Sequence, residues 1–438
     1  MAKFHFASQP SAARPVSGIF FPARIPLGLD GGVASPAVLE KKVLASAYTP
    51  SYSIGQLVLQ EIGGIEITSR GLNKTAVKIG SEMVADRDGR IEAYFSQPLT
   101  LRRGTAPQTP LSLACISVDG GRMQTRDEVS GNGVHNPHWR ENKNALFLRM
   151  KSDNFTCDPH PDLPTCFASP EEMQKLLRGA VQNSPPDSSE PICAGQTVSS
   201  EETTAAAWRP ERLFRTCLSS LQDSDTFGRS MEVEADARGF YHAQKKAFVS
   251  DGLPYNWTIQ QRHFRDFTPI LDFTHAVEHL YEAARCLHDH PDQRWEDYLR
   301  WAHACWLGKV TEVIRELRTH QQRLGGPGKE TAQDDPRKLL ADVIGYLENN
   351  ACRMDYPRYR RQGLPTTSAH MESLVKEINA RVKGTEKFWN DGASGEAILQ
   401  IRAAALCDDD RLRKFLRNRP GHPFHPNVTP APMLATAN

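Results

Sequence analysis

Three aspartates in this sequence follow short apolar runs. Asp119 follows Leu-Ala-Cys-Ile-Ser-Val, Asp251 follows Ala-Phe-Val-Ser, and Asp272 follows Pro-Ile-Leu. Such runs are typical of buried strands, and in open α/β sheets the ligand crevice lies at the carboxyl ends of the strands. Carboxylates that meet there are the hard oxygen ligands that Mg²⁺ prefers. The pattern therefore predicts that acids at one edge of a sheet hold a metal ion.

A fourth acid, Glu372, lies in a predicted helix from Ser368 to Lys383, on the face opposite the apolar residues. Metal-dependent cleavage of a phosphodiester needs carboxylates that converge from different elements. Three such carboxylates would come from Asp119, Asp251 and Glu372. Each also has a structural alternative, because Asp-Gly suits a turn and Glu372 can pair with Lys376 one helical turn later.

Strands and helices alternate around these acids. Strands are predicted from Leu113 to Asp119, ending at Asp-Gly-Gly, and from Asn144 to Met150, its natural antiparallel partner. Helical spacing of apolar residues predicts an amphipathic helix over Arg212 to Gly239. The short strands that end at Asp251 and Asp272 come next. This order predicts a mixed α/β domain.

The flanking regions carry helices and irregular chain. The Pro-, Gly- and Ala-rich start predicts an irregular arm. Two short helices around Gly63-Gly64, the second from Leu72 to Met83, have the outline of a helix-turn-helix. The second helix would present to a DNA groove Arg70, Asn73, Lys74 and Lys78. From Thr274 to about Asn350 the pattern is helical and contains three tryptophans, as expected of an insertion domain.

Composition restricts the class of protein. The 438 residues exceed one average domain, and the net charge of +1 gives no overall basic character. A nucleic acid partner would need local basic patches, which are present at Arg358, Arg360, Arg361 and at Arg411, Arg413, Lys414, Arg417, Arg419. Nine scattered cysteines fit a reducing cytoplasm, and there is neither a membrane-length apolar stretch nor a signal-peptide core.

Five motifs resemble those of bacterial insertion-sequence transposases and follow the order of that family over residues 110–407. They are Ser117-Val-Asp-Gly-Gly-Arg-Met-Gln-Thr-Arg126, His138-Trp-Arg-Glu-Asn-Lys143, Ser250-Asp-Gly-Leu-Pro-Tyr-Asn-Trp257, Pro269-Ile-Leu-Asp-Phe-Thr-His275 and Thr366-Thr-Ser-Ala-His-Met-Glu-Ser373. The family has an RNase H-like fold and DDE chemistry. An all-helical insertion separates its second Asp from its Glu, as in the Mutator group.

The resemblance implies roles for individual residues. Asp119, Asp251 and Glu372 would be the three catalytic acids and would hold Mg²⁺ (or Mn²⁺). Glu377 and Glu396 compete for the third place, and Glu372 is preferred because the preceding Thr-Thr-Ser-Ala segment matches the family better. The bound ions would activate water to cut the strand at each transposon end. The freed 3′-hydroxyl would then attack target DNA, without a covalent enzyme intermediate.

The resemblance also implies DNA contacts. Asp272 and His275 match an Asp-x-x-His element whose usual role is structural or DNA-contacting. Residues near the metal site that would contact phosphate are Arg122, Arg126, Arg140 and Lys143. Two groups have residue types suited to zinc, but Cys157-x-x-His160 with Cys166 lacks a clear fourth ligand, and the His275 and His279 pair is equally a helix start capped by Asp272.

Together these features predict an α/β protein with an RNase H-like mixed sheet, a helical insertion and an amino-terminal helix-turn-helix-like segment. Its expected parts are an irregular arm (1–45), a helical DNA-binding segment (46–108), the first part of the catalytic core (109–275), the all-helical insertion (276–355), the last core helices (356–410) and a basic, Pro-rich tail (411–438), with disorder expected after Pro420.

The predicted function is that of a transposase that cuts transposon-end inverted-repeat DNA and joins it to target DNA. It would act as a homodimer or higher oligomer, with no membrane partner, in the cytoplasm and associated with the nucleoid. Two alternatives stay open. The first is an RNase H-like metal-dependent nuclease or resolvase with the same acids, and the second is an inactive relic that only binds DNA.

Overall fold

The computed structural model describes residues 35–104, 109–126, 138–174, 208–328, 330–384 and 387–419. Its strands are β1 (Leu113–Thr125), β2 (His138–Lys151), β3 (Glu211–Ser220), β4 (Lys245–Ser250), β5 (Thr268–Leu271) and β6 (Phe388–Trp389). Its α-helices are α1 (Pro36–Tyr48), α2 (Tyr52–Glu61), α3 (Ser69–Ser96), α4 (Thr165–Ala168), α5 (Ser224–Ala237), α6 (Pro254–His263), α7 (Phe273–Leu287), α8 (Pro291–Trp306), α9 (Val310–Leu324), α10 (Pro336–Asn350), α11 (Tyr356–Arg361), α12 (Ala369–Val382), α13 (Gly392–Ala405) and α14 (Arg411–Arg417).

The strands form one mixed sheet in the order β3-β2-β1-β4-β5. β2 is antiparallel to both β1 and β3, whereas β4 runs parallel to β1 and β5 parallel to β4. β6 pairs with the last two residues of β1. The prediction of a mixed α/β domain with an antiparallel β1–β2 pair is confirmed.

The predicted end of the first strand at Asp119-Gly-Gly is wrong. β1 continues to Thr125, and its register with β2 is unbroken through the glycines. Gly121 allows this close pairing, because an added Cβ would lie 2.8 Å from Oδ1 of Asn142. What does end here is the pairing with β4, whose last partners are Val118 and Ser250.

The predicted helix from Arg212 to Gly239 is also wrong in its first half. Residues 211–220 form β3, and helix α5 starts only after the N-cap Asp223. Leu213, Cys217 and Leu221 are four residues apart, and a spacing of four places residues on one side of either a helix or a strand. Pairing with β2 decided for the strand. A register shift between Arg149 and Met150 leaves Leu213 without a partner in β2 and 57% exposed, whereas Cys217 is paired and buried.

Helices cover both faces of the sheet. Gly395 of α13 approaches Met123 of β1, since an added Cβ would lie 2.9 Å from Cε of Met123. Gly120 lies an odd number of residues before Met123 and so belongs to the other face of the strand, where it faces Glu141 of β2 and Tyr255 of α6. Because strand side chains alternate between faces, Asp119 belongs to the face covered by α12 and α13.

The amino-terminal helices pack onto this domain. α3 has 28 residues and extends well beyond the predicted end at Met83. It lies so close to α13 that a Cβ on Gly80 would be 2.2 Å from the carbonyl oxygen of Ala397. α2 and α3 have the predicted two-helix outline, and Leu59 and Leu72 form a small core between them with Ala45. Recognition of DNA by this pair stays a prediction.

The predicted helical insertion corresponds to helices α7–α10. Trp301 and Trp306 lie in its core. Arg360, part of one predicted basic patch, is also buried, where it lies over the Trp306 ring and pairs with Asp158. One arginine of this predicted basic patch is therefore part of a buried ion pair and does not contribute to a basic surface.

The second predicted basic patch is neutralised in part by nearby acids. Arg411 pairs with Glu234, and Arg413 pairs with Glu40. The first residues of the expected tail form helix α14, whereas residues 420–438, like 1–34, lie outside the described residues. Across the described ranges, no helix has the length and apolar character needed to cross a membrane.

Candidate active site

Asp119 and Asp251 lie side by side on adjacent parallel strands. Each directly follows the last paired residues of β1 and β4, so about 5 Å separates their backbones. Burial and the negative charge of Asp251 raise the pKa of Asp119 to about 7, against the opposing effects of His275 and the Gly120 N–H. A carboxylate in this setting is stabilised by a cation.

The Asp251 carboxylate is oriented by its own loop. Its Oδ1 accepts hydrogen bonds from Nδ2 of Asn256 at 2.8 Å, from N–H of Leu253 at 3.1 Å and from Oγ of Ser250 at 3.2 Å. Asn256 is fully buried at the start of α6. The motif around Asp251 therefore acts as a unit that fixes one carboxylate oxygen.

Asp272 lies directly after β5 and is completely buried. Its carboxylate caps α7 by accepting from N–H of Thr274 at 3.0 Å and pairs with Nδ1 of His275 at 2.9 Å. The same carboxylate accepts from N–H of Ser368 at 3.2 Å and from the Ser368 hydroxyl. The helix-start alternative for Asp272 is confirmed. A buried carboxylate with these partners does not suit the expected DNA contact.

The pair between Asp272 and His275 changes the pKa of both groups. Burial alone would raise the pKa of Asp272, but the bonds from His275, Ser368 and Thr274 hold it below its usual value. Burial alone would lower the pKa of His275, but Asp272, with Glu278 and Asp251, raises it to about 10. His275 is therefore an imidazolium at neutral pH and lies beside the acids.

Glu372 lies in the first turn of α12, one turn after Ser368. Burial and the negative charge of Asp272 raise the pKa of Glu372, while Lys376 and His275 oppose this. The predicted pairing with Lys376 is loose, with Nζ 4.0 Å from Oε2. Glu372 thus lies one helical turn from Ser368, which binds Asp272, and the charges of Asp272 and His275 affect the pKa of both Glu372 and Asp119.

The two competitors for the third acid lie elsewhere. Glu377 pairs with Arg215 of β3 at 3.2 Å. Glu396 accepts hydrogen bonds from Oγ of Ser220 at 2.8 Å and from N–H of Leu221 at 2.6 Å, at the end of β3. Both carboxylates are used by partners on β3 or just after it. Of the three glutamates, Glu372 is the one whose pKa is affected by the charges of Asp272 and His275.

The donor set fits a hard cation in chemistry. Asp119, Asp251 and Glu372 offer only carboxylate oxygens, which Mg²⁺ and Mn²⁺ take as ligands. In the described part of the chain, however, no three His, Cys, Asp or Glu side chains converge closely enough to hold one ion. Cys157 and Cys166 are exposed, and the ring of His160 lies against Trp208 rather than in a zinc site.

The predicted phosphate contacts are divided between two places. Arg122 is exposed on β1 beyond Asp119, Arg126 is exposed directly after β1, and Arg140 lies against Gly392 at the start of α13. Strand alternation places Lys143, like Arg122, on the sheet face opposite to that of Asp119. There it pairs with Glu141 at 3.2 Å and lies over the ring of Tyr255 of α6.

Two residues near the acids were missed from the sequence. Glu278 lies one turn after His275 on α7, and burial, with the charges of Asp272 and Glu372, raises its pKa. The sequence signal that could have indicated Glu278 is its position three residues, or one helical turn, after His275. Tyr346 of α10 donates a hydrogen bond to the carbonyl oxygen of Asp251 at 2.7 Å. Nothing in the local sequence marks Tyr346, because the contact joins positions 95 residues apart.

Comparisons with known proteins assign no family. No protein-family model matches the sequence, and no curated protein is significantly similar to it. The acids, the sheet that carries them and the motifs around them are therefore the features from which a function can be inferred.

Proposed function

We propose that this chain is a DDE transposase, which cleaves DNA at the ends of a mobile element and joins the freed 3′-hydroxyl to target DNA. One observation carries the proposal. Asp119 and Asp251 adjoin on two parallel central strands, and Glu372 lies in the first turn of a helix whose preceding residue, Ser368, binds the neighbouring Asp272. These are the three acids that the sequence motifs imply.

The sheet supports the same proposal. Three antiparallel strands come first, and β4 and β5 then extend the sheet in the direction of β1. An RNase H-like core has this order. In such a sheet the acids of the first and fourth strands meet at one edge, where a DNA strand can approach.

The chemistry we propose needs no protein nucleophile. Mg²⁺ or Mn²⁺ bound by Asp119, Asp251 and Glu372 would supply the positive charge that activates water and stabilises the leaving oxygen. Asn256 orients the Asp251 carboxylate for this purpose. Ser250 is buried, and its hydroxyl donates to the carbonyl of Val118 and to Asp251, so it does not face a substrate.

We propose that the start of α3 binds the DNA ends. Arg70, Lys74 and Lys78 are exposed at a spacing of four residues, which places them on one side of the helix. Asn73 is partly buried next to them. Positive side chains along one helix face suit contact with phosphates. Because two ends must be processed together, we also propose a homodimer or higher oligomer on DNA.

The test uses the full chain, Mn²⁺ or Mg²⁺, and labelled duplexes made from the DNA that flanks the coding sequence. Asp119→Asn, Asp251→Asn and Glu372→Gln should each bind the duplex like the unchanged protein and lose cleavage by at least about 100-fold. Glu377→Gln is the matched control and should keep most cleavage. Retained cleavage in either aspartate variant would remove that residue from the mechanism.

The products of the same assay separate the alternatives. Joined products, in which a 3′ end is linked to a second duplex, are expected of a transposase. Nicks without joining would favour a nuclease or resolvase with the same acids. Binding without any cleavage by the unchanged protein would favour a DNA-binding relic.

A further inference from the structure

We propose that Tyr346 is a positioning residue of this active site and holds the loop that carries Asp251. This inference rests on the proposed function for its activity readout. The Tyr346 hydroxyl donates to the carbonyl oxygen of Asp251 at 2.7 Å. The other bonds to Asp251 come from neighbours within five residues, whereas Tyr346 comes from helix α10.

The loop is shaped to receive the Tyr346 ring. Gly252 has φ of +96°, a conformation that other L-residues rarely adopt. A Cβ at Gly252 would lie 2.8 Å from Cε2 of Tyr346, so the ring closes directly over the glycine backbone. The loop therefore requires glycine at position 252 for two reasons, which are its backbone conformation and the space that the ring fills.

The Tyr346 ring also contacts helix α7. Tyr346 lies against His279 of α7, with ring centroids 3.8 Å apart. His279 is one turn after His275, which pairs with Asp272. Tyr346 thus connects the Asp251 loop to the helix that begins at Asp272. Because Asp251 directly follows β4, anchoring its backbone there determines how close its carboxylate stays to Asp119.

A second tyrosine makes the same kind of bond away from the acids. The Tyr359 hydroxyl donates to the carbonyl oxygen of Pro269, within β5, at 3.3 Å. Loss of either hydroxyl removes one hydrogen bond to a strand or loop carbonyl and leaves the ring in place. Tyr359→Phe is therefore the matched control for Tyr346→Phe, with the carboxylate neighbour as the difference.

The experiment measures Mn²⁺ affinity of the full chain by calorimetry with Mn²⁺ alone, and cleavage at saturating DNA. Tyr346→Phe should weaken Mn²⁺ binding about fivefold and lower the maximal cleavage rate by about the same factor, with DNA affinity unchanged, as loss of one hydrogen bond predicts. Excess Mn²⁺ should restore part of the rate. Tyr359→Phe should show a similar fall in melting temperature and unchanged Mn²⁺ affinity and rate.

Three results would overturn the inference. The first is a Tyr346→Phe variant that binds Mn²⁺ and cleaves like the unchanged protein, and the second is an equal loss in both variants, which would indicate general destabilisation. The third is an unchanged protein that does not bind Mn²⁺. If the unchanged protein binds Mn²⁺ but never cleaves DNA, the proposed function fails, and the Mn²⁺ affinities of the two variants still decide the role of Tyr346.

Discussion

The carboxylate of Asp272 accepts hydrogen bonds from both the backbone N–H and the hydroxyl of Ser368, which lies 96 residues later. Asp272 precedes α7, and Ser368 precedes α12. The N–H of Phe273 also donates to the carbonyl of Thr366 at 3.0 Å. One buried carboxylate thereby joins the start of α7 to the start of α12, the two ends of the long helical segment. It also fixes the position of Glu372, which lies one turn after Ser368.

Asp272→Asn should lower the free energy of unfolding by about 3 kcal/mol at pH 7, because a buried charged acceptor with several donors is lost. The pKa of Asp272 is held below its usual value, so its stabilising effect is present above pH 4 and is lost as pH falls through the lowered pKa. Urea unfolding at pH 7 and at pH 3 measures this. The difference between variant and unchanged protein should shrink at pH 3.

Asp223→Asn provides the comparison for that measurement. Asp223 also caps a helix, through the N–H of Thr226 at 2.9 Å, but it serves one helix only and is exposed. Its replacement should cost no more than about 1 kcal/mol. Equal losses in the two variants would mean that the link between α7 and α12 adds nothing.

His275 should remain protonated across the physiological range. Its pKa is raised to about 10 despite burial, mainly by the hydrogen bond and charge of Asp272. The stabilising effect of the imidazolium is thus complete below pH 6.5 and is lost as pH rises through about 10. NMR titration of histidine ring carbons should find no transition for His275 between pH 5 and 8.

The same titration in Asp272→Asn tests the cause. Without the carboxylate partner, burial should dominate and bring the His275 transition below pH 8. His370, whose pKa is lowered by burial and nearby arginines, is an internal comparison, because it should titrate at low pH in both proteins. A His275 resonance that titrates near pH 6.5 in the unchanged protein would contradict the ion pair.

Asp119→Asn should stabilise the metal-free protein at high pH. The pKa of Asp119 is raised to about 7, so its favourable contribution is complete below pH 4 and is lost as pH rises to about 7. With EDTA at pH 8, the variant should gain on the order of 2 kcal/mol. Thermal unfolding at pH 8 and pH 4 measures the gain. It should vanish at pH 4, and saturating Mn²⁺ should reverse its sign at pH 8 because only the unchanged protein keeps both aspartates.

Arg70→Gln combined with Lys74→Gln should weaken binding to every DNA sequence by a similar factor. Each residue is exposed on α3, and loss of two phosphate contacts should reduce the slope of log K against log salt by about 2. Fluorescence anisotropy at several salt concentrations measures this. The control combines Lys309→Gln and Arg315→Gln, both exposed in the helical segment, and should keep the salt slope. Equal slopes for both pairs would exclude α3 as the DNA contact.

The sequence alone was sufficient for the features that depend on local pattern. Strands before Asp251 and Asp272, the α12 helix that carries Glu372 and the helical segment between them all follow from runs and periodicities within a few turns. The mixed sheet followed from their order. Local spacing failed at Leu213 and Cys217, where one spacing satisfies a helix and a strand equally and only the neighbour β2 distinguishes them.

The tertiary structure decided which acids lie near one another. The sequence left Glu372, Glu377 and Glu396 as rivals, and the choice depends on the partners that meet each side of α12 and α13, namely Asp272, Arg215 and Ser220. Asp119 adjoins Asp251 because the pairing of β1 with β4 ends one residue before both. Such contacts join residues far apart in the chain, so packing determines them and no local pattern encodes them.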